Sequence, residues 1–435
     1  MSRRIYFDGL NLSLEHGTGI ATYTRVLANL VRDLDYEVGI IYSSPQRPAK
    51  NPLLREIGFF DSREAAPVPY PREIWNAVAD QFWVPLGVEP SGVNLTGTVI
   101  TDHFQGHLPL HDHLFVARNL FANARRYFSW SGRFVDLVFD SAPDILHCTY
   151  QMPLRAKGSC NIYTIHDLVP LRLPFTTLDN KRQTYRLLRK IAAEADHIVT
   201  VSENSKRDIV QLLEVPEERV TNTYEAVDFP RELVERSEDL VAAQLHSSYG
   251  LEMQDYLLFY GALEPKKNVA RLIDAYMLSA VDIPLVITGA VGWGNKTEAK
   301  RLEELRLEGR ARLNGSRRIY HFEYVSLPML VTLIRGARAV IFPSLYEGFG
   351  LPVLEAMLLG TPVVTSRASS LPEIAGDAAL YVDPYQIDEI AQAIKTITAD
   401  GDLRAELVRR GRIQAELFSV ARYRERLAAL YQRLG

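Results

Sequence analysis

The sequence predicts an α/β protein made of two doubly wound domains that face each other across a cleft. Three observations lead there. Strand-like and helix-like segments alternate along most of the chain, and βαβ units of this kind build parallel sheets. The length of 435 residues exceeds what one hydrophobic core usually supports. The alternation breaks once, in a charged, aperiodic stretch near residues 228–250, from DFPRELVERSEDL toward HSSYG.

In the first half, RIYFDGL (4–10) reads as a strand and HGTG (16–19) as the loop after it. Ile20, Tyr23, Val26, Leu27, Leu30, Val31 and Leu34 then fall at helical spacing. EVGIIYS (37–43), PDILHCTY (143–150), NIYTIHD (161–167) and DHIVTVS (196–202) read as further strands. In the second half YLLFYGA (256–262) is a strand, and NVARLIDAYMLS (268–279) a helix that Asn268 would cap. PLVITGA (284–290), RRIYHFEYV (317–325), RAVIFPS (338–344) and TPVVTS (361–366) follow as strands. VARYRERLAALYQRL (420–434) is a closing helix with an apolar stripe. The expected domains are residues 1–235 and 236–417, with helix 418–435 packing back on the first. Ligands of such sheets bind beyond the carboxyl ends of the strands, so the facing cleft is the expected site.

Composition removes several function classes. A net charge of −4, from 49 basic and 53 acidic residues, is too balanced for nucleic acid as the main partner. The two cysteines, Cys148 and Cys160, have no metal-cage or disulfide-framework spacing. Reduced thiols fit a cytoplasmic protein. MSRRIYFDGLNLS lacks the apolar core of a signal peptide. No apolar run approaches the ~20 residues of a membrane span, so any membrane contact would be peripheral.

The most informative segment is 338–366. RAVIFPS is a buried strand, LYEGFGL a loop with Gly348 and Gly350, and Pro352 suits the start of a helix. VLEAMLL gives about two turns, and Gly360 ends them. A glycine loop thus meets a helix N-terminus at the end of a parallel strand, where free amides and the helix dipole favour a diphosphate. Glu347 in the loop and Glu355, read as lying in the first helical turn, are eight positions apart. Two carboxylates beside an anion would repel it unless each turns to something else, and sugar hydroxyls are suitable partners. In EPKKN (264–268), Lys266 and Lys267 stand before a helix, where cations are unfavourable by ~0.3–1 kcal/mol each unless an anion compensates.

SLYEGFGLPVLEAMLLGTPVVTS closely resembles the signature of the family-4 retaining glycosyltransferases, with the E-x7-E element present as Glu347 and Glu355. SSLPEIAGDAALYVDP (369–384) matches the usual continuation. The resemblance covers essentially the whole second domain and is weaker in the first. It implies the GT-B fold, an acceptor-side N-terminal domain and a C-terminal domain that binds the nucleotide of the donor. It also implies that Glu347 faces the donor sugar and Glu355 holds the ribose hydroxyls. The amides around Gly348, Phe349, Gly350 and Leu351 would meet sugar and diphosphate. Lys267, with Lys266, would bind the diphosphate; Ala262 stands where many members carry an arginine.

His166, at the end of strand NIYTI, corresponds to a family histidine that contacts the donor sugar, and Asp167 would orient it. HGTGI (16–20) resembles the family's N-terminal glycine loop, which implies that Gly19 approaches the diphosphate from the opposite domain. Ser202 resembles a position near the cleft, or serves as a helix cap. Base recognition is expected around Tyr324 and Val325. His147 and Tyr150, in LHCTYQMP, are candidates for the acceptor side. In ARNLFANARRYFSWSGRF (117–134), Arg125 and Arg126 mix with aromatic residues, which suits a lipid-diphosphate acceptor or an anionic membrane surface. His103, His107 and His111 have metal-compatible spacing, but no metal and no cofactor are expected.

The reading is retaining transfer of a sugar from a nucleoside-diphosphate sugar, with GDP-mannose as the first donor, because the motifs resemble bacterial mannosyltransferases of surface-polysaccharide assembly. The acceptor would be a glycan or a polyprenyl-diphosphate-linked glycan. A sugar-nucleotide epimerase and a non-catalytic sugar-nucleotide-binding protein are the competing readings.

Overall fold

The structure, a computed structural model, describes residues 2–13, 19–61, 84–100, 108–290 and 319–434. Of the sequence expectations, His103, His107 and the HGT part of the first glycine loop lie outside them.

The first half contributes β1 (Arg4–Asp8), β2 (Glu37–Ser44), β3 (Ser91–Val93), β4 (His113–Arg118), β5 (Val135–Leu137), β6 (Ile145–Cys148), β7 (Leu154–Ala156), β8 (Cys160–Thr164), β9 (His197–Thr200) and β10 (Val220–Asn222). Eight of them form one sheet in the order β10-β9-β8-β6-β1-β2-β4-β3, and β5 pairs with β7 beside it. Every pairing in the large sheet is parallel except β3 with β4. The second half contributes β11 (Leu257–Tyr260), β12 (Leu285–Thr288), β13 (Ile319–Phe322), β14 (Ala339–Phe342), β15 (Val363–Ser366) and β16 (Ala379–Val382). Their order is β13-β12-β11-β14-β15-β16, parallel throughout. The strand order reverses between β1 and β6 in the first sheet and between β11 and β14 in the second. These two switch points are where a doubly wound sheet leaves a crevice for ligands.

β11, β12, β14 and β15 are buried at every residue. That is why they read as continuous apolar runs and not as alternation: helices cover both faces of a parallel sheet. β3, β5, β7 and β10 have three residues each, too short for any periodicity to register in sequence.

The closing helix, Val420–Leu434, buries Tyr423, Leu427, Leu430 and Tyr431 and packs on the Gly19–Asp33 helix of the first domain. Arg433 donates to Thr221 Oγ1 on β10 at 2.7 Å. The Tyr431 hydroxyl lies 2.7 Å from His147 Nδ1, and His147 Nε2 lies 2.8 Å from Thr164 Oγ1. This corrects the acceptor-side assignment of His147. Its side chain points into the core, fully buried, because β6 is a central strand and residue 147 alternates onto the face that the closing helix covers. Burial, with smaller contributions from His166 and His197, lowers its pKa to about 3.

Tyr431→Phe removes one partner of a buried ring nitrogen. The expected cost is about 1–2 kcal/mol, read as a lower thermal midpoint. The neutral His147 contributes stability that is present above the ordinary histidine pKa of 6.5 and lost as pH falls from there toward about 3.

Candidate active site

The two loops at the second switch point are tied together by backbone. Pro265–Lys267 forms a single 3-10 turn after β11, and the Lys266 carbonyl accepts from Leu345 N, in the loop after β14, at 2.7 Å. Asn268 does not cap the next helix as expected. Its φ of 64° turns the side chain inward, where Nδ2 donates to the carbonyls of Pro343 at 3.0 Å and Pro384 at 2.7 Å. It staples the loops that follow β14 and β16.

Lys267 Nζ reaches both carboxylate oxygens of Glu347, at 2.8 and 3.0 Å, and stands 4.9 Å from the centre of the Phe342 ring. Lys266 Nζ lies 3.8 Å from Glu264 and 3.9 Å from Asp167 of the first domain. Burial alone would push the Glu347 carboxyl up, but Lys267 and Lys266 hold it below its ordinary value. For Lys266 burial acts downward, and Asp167, Glu347 and Glu264 together outweigh it. Glu355 goes the other way: burial raises it to about 7, against opposing pulls from Tyr260 and Lys267. Two carboxylates on one motif are thus driven apart, one ionised at neutral pH and one poised to change charge. Such a split marks different roles.

The helix of the motif runs Leu351–Leu358, with Gly350 before it at φ 114°. Glu355 is therefore its fifth residue, in the second turn and not the first. Dipole complementarity, which fades beyond the first turn, does not account for it. Among the described residues the amides of Phe349, Gly350 and Leu351 have no protein acceptor. The Phe349 ring points away from them, into a cluster with Phe418 at 5.7 Å and Tyr224 at 6.5 Å.

The first domain closes directly on this loop. A Cβ on Gly348 would stand 2.6 Å from the His166 carbonyl oxygen and 3.1 Å from Asp167 Cβ. Ser202 Oγ and Ser205 Oγ donate to the Gly348 carbonyl at 2.6 and 3.2 Å. Ser202 also caps its own helix, accepting from Ser205 N at 3.0 Å. Glu373 of the second domain accepts from Glu203 N and Asn204 N, at 2.7 and 3.1 Å, and so caps the same helix from across the cleft. Tyr346 donates to Asp208, which Arg172 also holds. Gly19 faces the motif too: a Cβ there would meet Leu351 Cδ1 at 3.7 Å.

His166 is half-buried, edge-on to Tyr23 with ring centroids 4.7 Å apart. Asp167 does not orient it. Asp167 Oδ1 accepts from Val169 N at 3.1 Å, and its other oxygen faces Lys266. The carboxylate beside the ring is Glu225, 3.3 Å from Nδ1, which sequence reasoning missed. It stands just past β10 in TNTYEAVD, within a stretch without periodicity, and carries no motif.

The remaining candidates are spread out. Tyr150 and Arg125 line one cleft of the first domain with Phe128, Gln151, Asp179 and Gln183. Arg125 lies 5.9 Å over the Tyr150 ring. Arg126, exposed beside Arg125 on the helix Leu120–Ser131, is not part of that lining. Val325 follows β13, partly buried against the core, while Tyr324 is 71% exposed. His111 Nδ1 is 2.8 Å from the Pro109 carbonyl.

Comparison with known proteins decides what this site belongs to. The family Glycosyl transferases group 1 matches residues 243–414, and Glycosyltransferase Family 4 matches residues 97–231. O-antigen chain mannosyltransferase B of Escherichia coli is 35% identical over 278 residues, 62% of this chain and 69% of that protein. The chain belongs to the family-4 glycosyltransferases. Serotype-specific mannosyltransferase WbdA of Escherichia coli is 29% identical over 304 residues, 65% of this chain but 36% of that longer protein. Among solved structures, Anabaena HepE in complex with UDP and glucose superposes with a TM-score of 0.64 at 17% identity, over 99% of this chain and 100% of that one. Sucrose-phosphate synthase of Thermosynechococcus elongatus gives a TM-score of 0.65 at 16% identity, over 99% of each chain. The fold of this glycosyltransferase is GT-B.

The poised carboxyl of Glu355 makes a pH prediction. A ligand whose hydroxyls bond to the carboxylate favours its charged form and releases a proton on binding. Affinity for a nucleoside-diphosphate sugar is expected to rise as pH increases through 7, by up to about tenfold from pH 6 to 8, with Glu355→Gln flattening the trend in calorimetric titrations. The unliganded enzyme has the opposite slope: the raised carboxyl contributes stability below its ordinary value of 4.5 that is lost as pH rises through about 7.

Proposed function

We propose that the enzyme transfers a hexose, with retention of configuration, from a nucleoside-diphosphate sugar to a glycan acceptor. The observation that carries this is the Lys267–Glu347 pair at 2.8 and 3.0 Å, set against the amides that open the Leu351–Leu358 helix. Positive charge and free amides suit a departing diphosphate, and a carboxylate held in its ionised form suits a sugar that gains oxocarbenium character. When the donor binds, its phosphates take Lys267 and Lys266, and Glu347 turns to the sugar. Glu355 takes the ribose hydroxyls, and His166 reaches the sugar from the first domain.

In the reaction the bond from the anomeric carbon to the leaving phosphate oxygen breaks. A bond to the acceptor oxygen forms on the same face, and the acceptor proton passes to the leaving phosphate. Glu347 does not need to become a covalent intermediate. The lysines and the helix N-terminus supply the positive charge, so the reading invokes neither metal nor cofactor.

The donor proposed first is GDP-mannose. Support comes from the names of the relatives, O-antigen chain mannosyltransferase B and serotype-specific mannosyltransferase WbdA. The same names support a growing surface polysaccharide as acceptor, carried on a polyprenyl diphosphate. Tyr150 and Arg125 would lie on its path. No helix among the described residues is long and apolar enough to cross a membrane. Trp130, 62% exposed, stands four residues after Arg126 and three before Arg133, both exposed cations, a combination suited to peripheral contact with the anionic inner face of the cytoplasmic membrane.

GDP-mannose at 100 times its dissociation constant is expected to stabilise the protein by ~2.7 kcal/mol in a thermal-shift comparison with UDP-, ADP- and dTDP-sugars. Glu347→Ala should still be folded and lose transfer by at least about 100-fold. Undiminished turnover in that variant removes the reading of the site, and stabilisation by another sugar nucleotide alone removes the mannose donor.

A further inference from the structure

Glu225 has no role in the transfer as outlined above, yet the fold holds it firmly. It lies on the segment that leaves β10 and crosses from the first domain to the second, and it is 6% exposed. Its neighbour Tyr224 sits at φ 60°, a left-handed conformation uncommon for a residue with a side chain. The Tyr224 ring packs on Phe418 at 5.2 Å and Phe349 of the motif at 6.5 Å, and the Arg426 guanidinium covers it at 4.7 Å. Backbone in sparsely populated regions persists only where its surroundings over-determine it, and such positions cluster at functional sites. Here the surroundings include the motif loop itself, and the result aims Glu225 at His166.

The partners of His166 define its protonation. Nδ1 stands 3.3 Å from Glu225 Oε1, and Nε2 stands 3.0 Å from the Thr149 carbonyl oxygen. A carbonyl only accepts, and so does a carboxylate. A neutral imidazole has one N–H and would direct a lone pair at one of the two. An imidazolium donates to both. Thr149 is itself fixed, since its amide and hydroxyl donate to Asp8 Oδ2 at 2.5 and 2.9 Å. Tyr23 meets the ring edge-on at 83° and blocks its rotation.

We propose that Glu225 is a positioning residue for the transfer, one that keeps His166 as the cationic imidazolium, so that His166 serves the donor as a positive charge and not as a base. The inference rests on the placement of His166 at the donor sugar. An imidazolium cannot take the acceptor proton, which leaves the departing phosphate as the group that does.

The charged and titratable groups around the ring come from five elements. Glu225 faces it from the crossing segment and Asp167 from its own loop, with Lys266 of the second domain 3.9 Å from Asp167. His147 lies behind it on β6, and neutral Tyr23 on the Gly19–Asp33 helix. Burial opposes the cation, but Glu225, the Thr149 carbonyl and Asp167 outweigh it and raise the His166 pKa.

The test is an imidazole titration in the 15N-labelled full-length enzyme, with His166 assigned by the signal lost in His166→Gln. The wild-type midpoint is expected above the ordinary histidine value of about 6.5, and Glu225→Gln should lower it by about one unit or more. In steady-state kinetics at pH 7.5, Glu225→Gln should lose roughly tenfold in kcat, with little change in the KM for the donor. The loss should shrink at pH 6, where the ring regains its proton. Glu225→Asp, which keeps the carboxylate, should retain the raised midpoint. A wild-type midpoint at or below about 6.5 overturns the proposal. So does a titration unchanged by Glu225→Gln, or a kcat loss independent of pH. The wild-type titration depends on no variant folding, and it reads His166 whether or not Glu347→Ala abolishes transfer, so the two readings fail separately.

Discussion

The active site depends on one close approach. Gly348 of the motif loop sits so near the His166 carbonyl that a Cβ would come within 2.6 Å. Only glycine permits that distance. It brings the switch point of the second sheet onto the loop after β8, next to the switch point of the first. Ser202 and Ser205 then lock the contact by donating to the Gly348 carbonyl. Through this contact Asp167 comes near Lys266, and His166 comes to the edge of a site whose charged groups belong to the other domain.

The electrostatics follow from that enclosure. Desolvation acts on every ionisable group in the cleft, and whether a group remains charged depends on its partner. Glu347 has two lysines and stays ionised. Glu355 has a tyrosine and a distant lysine, and burial prevails. The pair Lys267–Glu347 is a buried ion pair, whose mutual attraction roughly offsets the cost of desolvating it. Its effect in this structure is to keep both charges in place inside the cleft.

Much of this was legible in the sequence, and the reasons differ by element. The core strands β11, β12, β14 and β15 announce themselves as apolar runs because parallel sheets are covered on both faces. The motif could be read because its glycines, proline and carboxylates act locally, within one loop and one helix. What depended on distant contacts was misread. His147 reads as a strand-end residue facing a cleft, and only the return of the closing helix onto β6 makes it a core residue. Asn268 reads as a helix cap, and the left-handed backbone that turns it inward is set by carbonyls 75 and 116 residues away. Glu225 was invisible for the same reason, since its partner is 59 residues earlier in the chain.

The return of the closing helix has a mechanical consequence. The chain passes between the domains twice, once through Tyr224 and again at Phe418, and the two rings touch with centroids 5.2 Å apart. The two links are therefore joined along a single edge, like the leaves of a door hung on adjacent pins.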